Sequence, residues 1–198
     1  MCWIEGNHEH RIKKYANRSP ELRDLVSIDH NFQDMWDRIE WFPTWAGAEI
    51  GQLPLRIGKN TLVLHGQRHN KYHASAMAAD FSPWTVLYGH THALEIGTKE
   101  TFKAPGETWS SQAFSVGHLA HPQQGYSGHK PGRWMHGFVE LGIDAHGLGH
   151  VAMHPIVNGR CFFRGRVFDG SKAVPKTKVR SPIVHKLGWS STASFWRK

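Results

Sequence analysis

The sequence predicts an α/β fold, and three observations carry that expectation. Thr61-Leu62-Val63-Leu64 and Trp84-Thr85-Val86-Leu87-Tyr88 are short, largely apolar runs of strand length, as expected of strands buried on both faces. The Ala-rich stretch between them, 67–79, reads as a helix. Each run ends at a glycine and a histidine, His65-Gly66 after the first and Gly89-His90 after the second. Strand and helix patterns that alternate in this way mark α/β proteins, whose ligands sit beyond the carboxyl ends of the strands.

The remaining elements follow in order. Cys2-Trp3-Ile4 reads as the end of a buried strand running into Gly6, and helical spacing covers 10–17. Ser19-Pro20-Glu21 starts a second short helix, with Ser19 as N-cap and Pro20 in the first helical position. Phe32, Met35, Trp36 and Ile39 recur at i, i+3, i+4 and i+7, so 31–40 is expected to be a helix with an aromatic core face. Gly58-Lys59-Asn60 is a hairpin turn between strands at 53–57 and 61–64. Beyond residue 93 the chain is strand-rich, with runs at 93–97, 113–117, 138–143 and 151–155. The stretch 118–133 reads as a loop, and Asp144-Ala145-His146-Gly147 as a tight turn joining two strands.

A chain of 198 residues, 39% hydrophobic and 20% charged, with nine Trp and ten Phe, is globular and long enough for a genuine core. It contains no apolar run of membrane-spanning length and no secretory leader, and its two cysteines, Cys2 and Cys161, make no disulfide framework. A cytoplasmic setting with no membrane partner is the expectation. The net charge of +8 is placed unevenly, because residues 160–198 hold ten of the 24 Lys/Arg and only one of the 16 acids, Asp169. The chain therefore divides into a body, 1–159, and a basic tail, 160–198, interleaved with Phe162, Phe163, Phe168, Trp189, Phe195 and Trp196. Such a tail is either a solvated terminus or a nucleic-acid contact.

Of the 16 histidines, those at strand ends are the candidates for chemistry. In Gly89-His90-Thr91-His92 the two imidazoles are one residue apart, and an extended segment would project both to the same side. His-x-His by itself is a weak signal in a chain this rich in histidine. In Gly6-Asn7-His8-Glu9, Asn7 offers a neutral carbonyl ligand or a helix cap, His8 a general acid, and Glu9 a partner for the imidazole or for the helix start. His65 alone would more often be a satisfied buried imidazole. Arg68, His69 and His73 follow it; with His69 and His73 at i, i+4 on the expected helix, they are either substrate-phosphate contacts or surface polar residues.

Taken in order, GNHE, HG and GHTH resemble the third, fourth and fifth signatures of the calcineurin-like metallophosphoesterases. The resemblance spans about residues 3–92. The segments Trp134-Met135-His136-Gly137-Phe138 and Pro155-Ile156-Val157-Asn158-Gly159 are similar to phage and bacterial members in particular. It implies an α/β/β/α sandwich and a two-metal site that hydrolyses phosphate mono- or diesters, loaded with Mn, Fe, Zn or Ni. It implies that Asn7, His65 and His90 hold the second metal, that His92 holds the first, and that His8 is the catalytic proton donor. The family's first two signatures, Asp-x-His and Gly-Asp-x-x-Asp, lie upstream of GNHE, where this sequence has five residues, none of them Asp or His. The chain is accordingly expected to be an N-terminally truncated member, lacking the N-terminal βαβ portion of the sandwich. Its partners would be a phosphate ester, nucleic acid through the tail, or a complementing N-terminal fragment on another chain. The rival reading is a non-catalytic nucleic-acid-binding remnant.

Overall fold

The computed structural model describes residues 1–42, 54–120 and 133–170, and within them the fold is mixed α/β, with helices and several sheets. The chain begins with strand β1, Cys2–Ile4, and helix α1, Asn7–Arg18. A 3-10 turn at Pro20–Leu22, short helices α2, Arg23–Val26, and α3, Ile28–Phe32, and a second 3-10 segment, Gln33–Arg38, lead to β2, Glu40–Phe42. β1 and β2 pair in parallel, Trp3 opposite Trp41. The expected single helix over 31–40 is thus divided. The i, i+3, i+4 spacing is consumed by a helix end and a 3-10 segment, and only Ile39 is fully buried. The aromatics instead pack on one another: Trp3 lies edge-on to Phe32 at 5.1 Å, and Trp36 edge-on to Trp41 at 5.7 Å.

The central sheet joins β3, Leu55–Ile57; β4, Thr61–Leu64; β5, Thr85–Tyr88; β7, Glu107–Val116; and β6, Leu94–Ala104, in that spatial order. β4, β5 and β7 run parallel and the outer strands antiparallel. Burial on both sides explains the unbroken apolar runs of β4 and β5. Helix α4, His73–Asp80, covers one face. Its Ala74 backbone lies so close to β6 that a Cβ added at Gly97 would fall 2.2 Å from the Ala74 carbonyl carbon. Leu64, Met77, Ala78, Val86, Tyr88 and Ala113 form the core, with Leu62, Phe81 and Trp84 packed around it.

α4 begins six residues later than the sequence predicts. The segment 67–70 is irregular, and the Asn70 side chain accepts from the Tyr72 amide in a turn just before the helix. His69 and His73 therefore share no helical face. The structure also shows a strand, β2, that hydropathy did not suggest; of the expected strand at 53–57, residue 53 lies outside the described residues.

A second, antiparallel sheet contains β8, Gly137–Ile143; β9, Gly149–Val157; β10, Arg160–Phe163; and β11, Arg166–Asp169. The Asp144 turn between β8 and β9 is as expected: the Asp144 carboxylate accepts from the amides of His146 and Leu148. The two sheets are tied where Asn60 accepts from the Gly149 amide at 2.7 Å and Gly147 accepts from the Lys59 amide at 2.7 Å. β10 pairs with β9 across the expected boundary at residue 159, Arg160 opposite Val157. The first ten residues assigned to the tail thus belong to the folded body. Residues 171–198, with the rest of the tail, lie outside the described residues, as does most of the loop expected at 118–133. Among the described residues no helix is long and apolar enough to cross a membrane.

Candidate metal centre

β4 and β5 are parallel neighbours with Leu64 opposite Tyr88, so the residues that follow them emerge at one edge of the sheet. His65 and His90 meet there, with rings 5.1 Å apart at 67°. His65 Nε2 lies 3.2 Å from His90 Nδ1 and 3.0 Å from the side-chain oxygen of Asn7. Three segments far apart in sequence thus bring a carboxamide and two imidazoles together, as their order predicted.

Gly6 makes this approach possible. A Cβ there would lie 2.6 Å from His65 Cε1, so any side chain would push the imidazole away from the start of α1. Gly6 is also the N-cap, and Glu9 accepts its amide at 2.9 Å. Glu9 therefore serves the helix start, as one of its two expected roles, and Asn7 is the first helical residue rather than the cap. That leaves the Asn7 side chain available to the imidazoles.

The GHTH segment departs from expectation in one respect. It is not extended: His90 and His92 both take left-handed backbone conformations, with φ of 68° and 58°. Residues other than glycine rarely adopt this region, and it recurs at functional sites that the surrounding structure holds in place. The hold here is visible. Thr91 Oγ1 meets Ser115 Oγ at 2.7 Å, Ser115 donates to the Ala93 carbonyl at 2.6 Å, and the His92 carbonyl accepts from the Met135 amide. His92 reaches the cluster through this twist and not through strand alternation.

The electrostatics are uniform. Burial, followed by the neighbouring His90, His8 and His92 rings, pushes the His65 ring down to about 4. Burial also lowers His90, aided by His69 and His8, and lowers His92, aided by His8 and His90. His8 is exposed yet close enough to act on all three. Each of these three rings is thus held toward its neutral form, the form in which an imidazole can ligate a cation.

The other candidates divide. His69 joins the cluster, its ring 6.2 Å from that of His90. Arg68 does not, since its guanidinium is directed to Asp80 at 2.8 Å. His73 is buried, bonded to the Tyr88 hydroxyl at 2.6 Å and 3.4 Å from Glu95, and so is held in the core behind the site. In the tail, Arg160 pairs with Asp169 and Arg164 with Glu140, which removes two basic groups from any phosphate-tracking stripe.

Sequence reading missed His118. It follows β7 as His65 follows β4 and His90 follows β5, so all three parallel strands deliver an imidazole at the same edge. Gly117-His118 after an apolar run was the available signal. His118 packs 5.5 Å from His92 and 4.4 Å from His136, with Trp134 4.4 Å from His92. The Nδ1 atoms of His92 and His118 are buried without a hydrogen-bond partner. Among the described residues no three His, Cys, Asp or Glu side chains converge as a metal-holding group, so the tight donor set is the two imidazoles and the Asn7 carboxamide. A cavity of about 620 Å³ between α1 and the Trp36–Trp41 pair is lined by none of these imidazoles.

No protein-family model, no curated protein and no solved structure matches this chain.

Proposed function

We propose that the chain carries the second-metal half of a calcineurin-like metallophosphoesterase centre and acts on phosphate esters. The observation that carries this reading is the contact of Asn7 Oδ1 and His90 Nδ1 with His65 Nε2, at 3.0 and 3.2 Å. With bonds of about 2.1 Å, donor atoms around one ion lie about 3.0–3.4 Å from each other. The two distances from His65 Nε2 fall in this range, which supports a divalent transition ion there, and Gly6 provides the room. A carboxamide with two imidazoles accepts Mn, Fe, Zn or Ni without selecting among them. Supporting this reading, a parallel-centred sheet carries the imidazoles at its carboxyl edge, and an antiparallel sheet follows.

When bound, the ion supplies Lewis-acid polarisation of a phosphoryl oxygen. The residues of the chain do the rest. Asn7, His65 and His90 hold the ion, and the neutral state of the two rings removes proton competition near pH 7. His92, with its buried, unpartnered Nδ1, is the residue of the three motifs that the resemblance assigns to the other metal. His8, exposed at the start of α1 beside the three rings, delivers a proton to the leaving oxygen of the ester.

Metal analysis after loading with Mn²⁺ and exhaustive dialysis tests the reading. One tightly held ion per chain is expected, lost on His65→Ala or His90→Ala. No retained ion, or one that survives both substitutions, would sink it; two tight ions would show that ligands for the first metal have been overlooked.

A further inference from the structure

Beside His90 opens a groove of about 550 Å³, within the usual range for small-ligand sites. His69, Lys71, His73, His90, Arg133 and Trp134 are among its lining residues, with the buried His73 ring 3.4 Å from Glu95, and no carboxylate lines it among the described residues. An anion is what such a lining attracts. Two of the groups, Lys71 and Arg133, are cationic and exposed, and they are joined where Arg133 Nη1 donates to the Lys71 carbonyl at 2.9 Å; the Lys71 ammonium lies 5.4 Å from the centre of the Tyr72 ring. That bond fixes the guanidinium by one of its donors and leaves others for a phosphate. The remaining element is aromatic. Trp134 packs edge-on against His92 at 4.4 Å and 67° and against His118 at 5.8 Å and 66°, so the indole is braced by two rings where it borders the groove.

We propose that this groove binds a nucleotide unit, with its phosphate held by Lys71 and Arg133 next to His90 and its base stacked on Trp134. The proposal rests on the phosphoesterase reading of the His65–His90 centre for the fate of the phosphate, since it places that group at the edge of the metal site. It assigns Lys71, Arg133 and Trp134 a role that none of the three signatures contains. A planar base suits a braced indole because stacking tolerates any base and needs no hydrogen-bond readout. Two fixed cations suit a phosphate better than a neutral ligand.

Titration calorimetry on the full chain in chelator separates this from the metal question. The probes are AMP, ribose 5-phosphate, adenosine, phosphotyrosine and a short single-stranded oligoadenylate. AMP is expected to bind about tenfold more tightly than ribose 5-phosphate, a ratio within the range of one base stack. It should exceed adenosine by a similar factor. Trp134→Leu should reduce AMP to the level of ribose 5-phosphate. Because Trp134 also supports His92, the exposed pair Lys71→Gln and Arg133→Gln provides an independent check, and together they should reduce AMP to the level of adenosine. An oligoadenylate tighter than AMP assigns the unit to a strand, and one weaker assigns it to a free nucleotide. Equal binding of AMP and ribose 5-phosphate, phosphotyrosine as tight as AMP, or no binding of AMP overturns the proposal. Metal retention without AMP binding leaves the metal centre standing, and AMP binding without metal retention does the reverse.

Discussion

The two halves of the candidate centre are held in different ways. His65, His90 and His92 stand at the edge of a parallel sheet whose core residues Met77, Ala78, Val86 and Ala113 are wholly buried. Asn7 and His8 stand on α1, in a region where the buried hydrophobics are Ala16 and Ile39 and the sheet has two strands of three residues. The imidazole half is preorganised by packing. The carboxamide half meets it where Gly6 lies against the His65 ring and Asn7 Oδ1 reaches His65 Nε2. A ligand that takes donors from both halves would therefore add a clamp between them, and substitutions should sort by the half they strike.

The largest contrast is expected at the site. In a form completed with the two upstream signatures, His90→Ala, in the rigid half, should remove the bound ion and with it all hydrolysis. His8→Ala, in the docked half, should keep the ion while turnover of an aryl phosphate falls by about 10²–10⁴, the usual cost of a lost general acid. Metal content and rate measured on both variants decide it; if His8→Ala loses metal as fully as His90→Ala, His8 is a ligand and its assignment as acid fails.

Stability should show the same asymmetry on a smaller scale. Gly97→Val drives a side chain into the Ala74 backbone at the α4–β6 contact and should cost about 3 kcal/mol or more. Leu25→Ala, at a residue 64% exposed in the N-terminal region, should cost less than about 0.5 kcal/mol. Urea midpoints compare the two, and equal losses would mean that the N-terminal region is as tightly packed as the sheet.

The smallest effect is a pH slope confined to the imidazole half. His65 is held down to about 4 against an ordinary 6.5, so the fold favours its neutral ring. Below pH 6.5 the unfolded chain takes up a proton that the folded chain refuses. Stability is then fully present above about pH 6.5 and declines as pH falls toward about 4. His90, His92 and His118 act in the same direction. The metal-free protein should lose urea resistance across this window, and His65→Gln should flatten the slope. An unchanged slope in that variant would place the titrating group elsewhere.

Much of this arrangement was legible from local pattern. β4 and β5 follow from apolar runs too short for helices, the Asp144 turn from its Asp and Gly, and the place of His65 and His90 from the strand ends they follow; the grouping of Asn7 with them is what the family resemblance implies. Helix limits were less legible. The Ala-rich composition of 67–79 suits a helix throughout, but the Asn70 turn and the Arg68–Asp80 pair hold its first residues out of one. The aromatic stripe of 31–40 kept its contacts and lost its regular helix, because Trp3 and Trp41 supply partners that periodicity cannot see.

By itself, then, the sequence determined which strands are central and which residues stand at their ends, because burial on both faces and the strand-to-loop step are written in consecutive residues. Tertiary structure alone decided the rest. It set the left-handed turns that bring His90 and His92 to the cluster, since these depend on Ser115 of β7 and on Met135, just ahead of β8. It added His118 at the third parallel strand, because the pairing of β5 with β7 skips β6 in the chain. It also directed the Arg68 guanidinium to Asp80 and bonded the His73 ring to the Tyr88 hydroxyl. Local order can be read from neighbours in sequence; convergence at a site depends on neighbours that only folding provides.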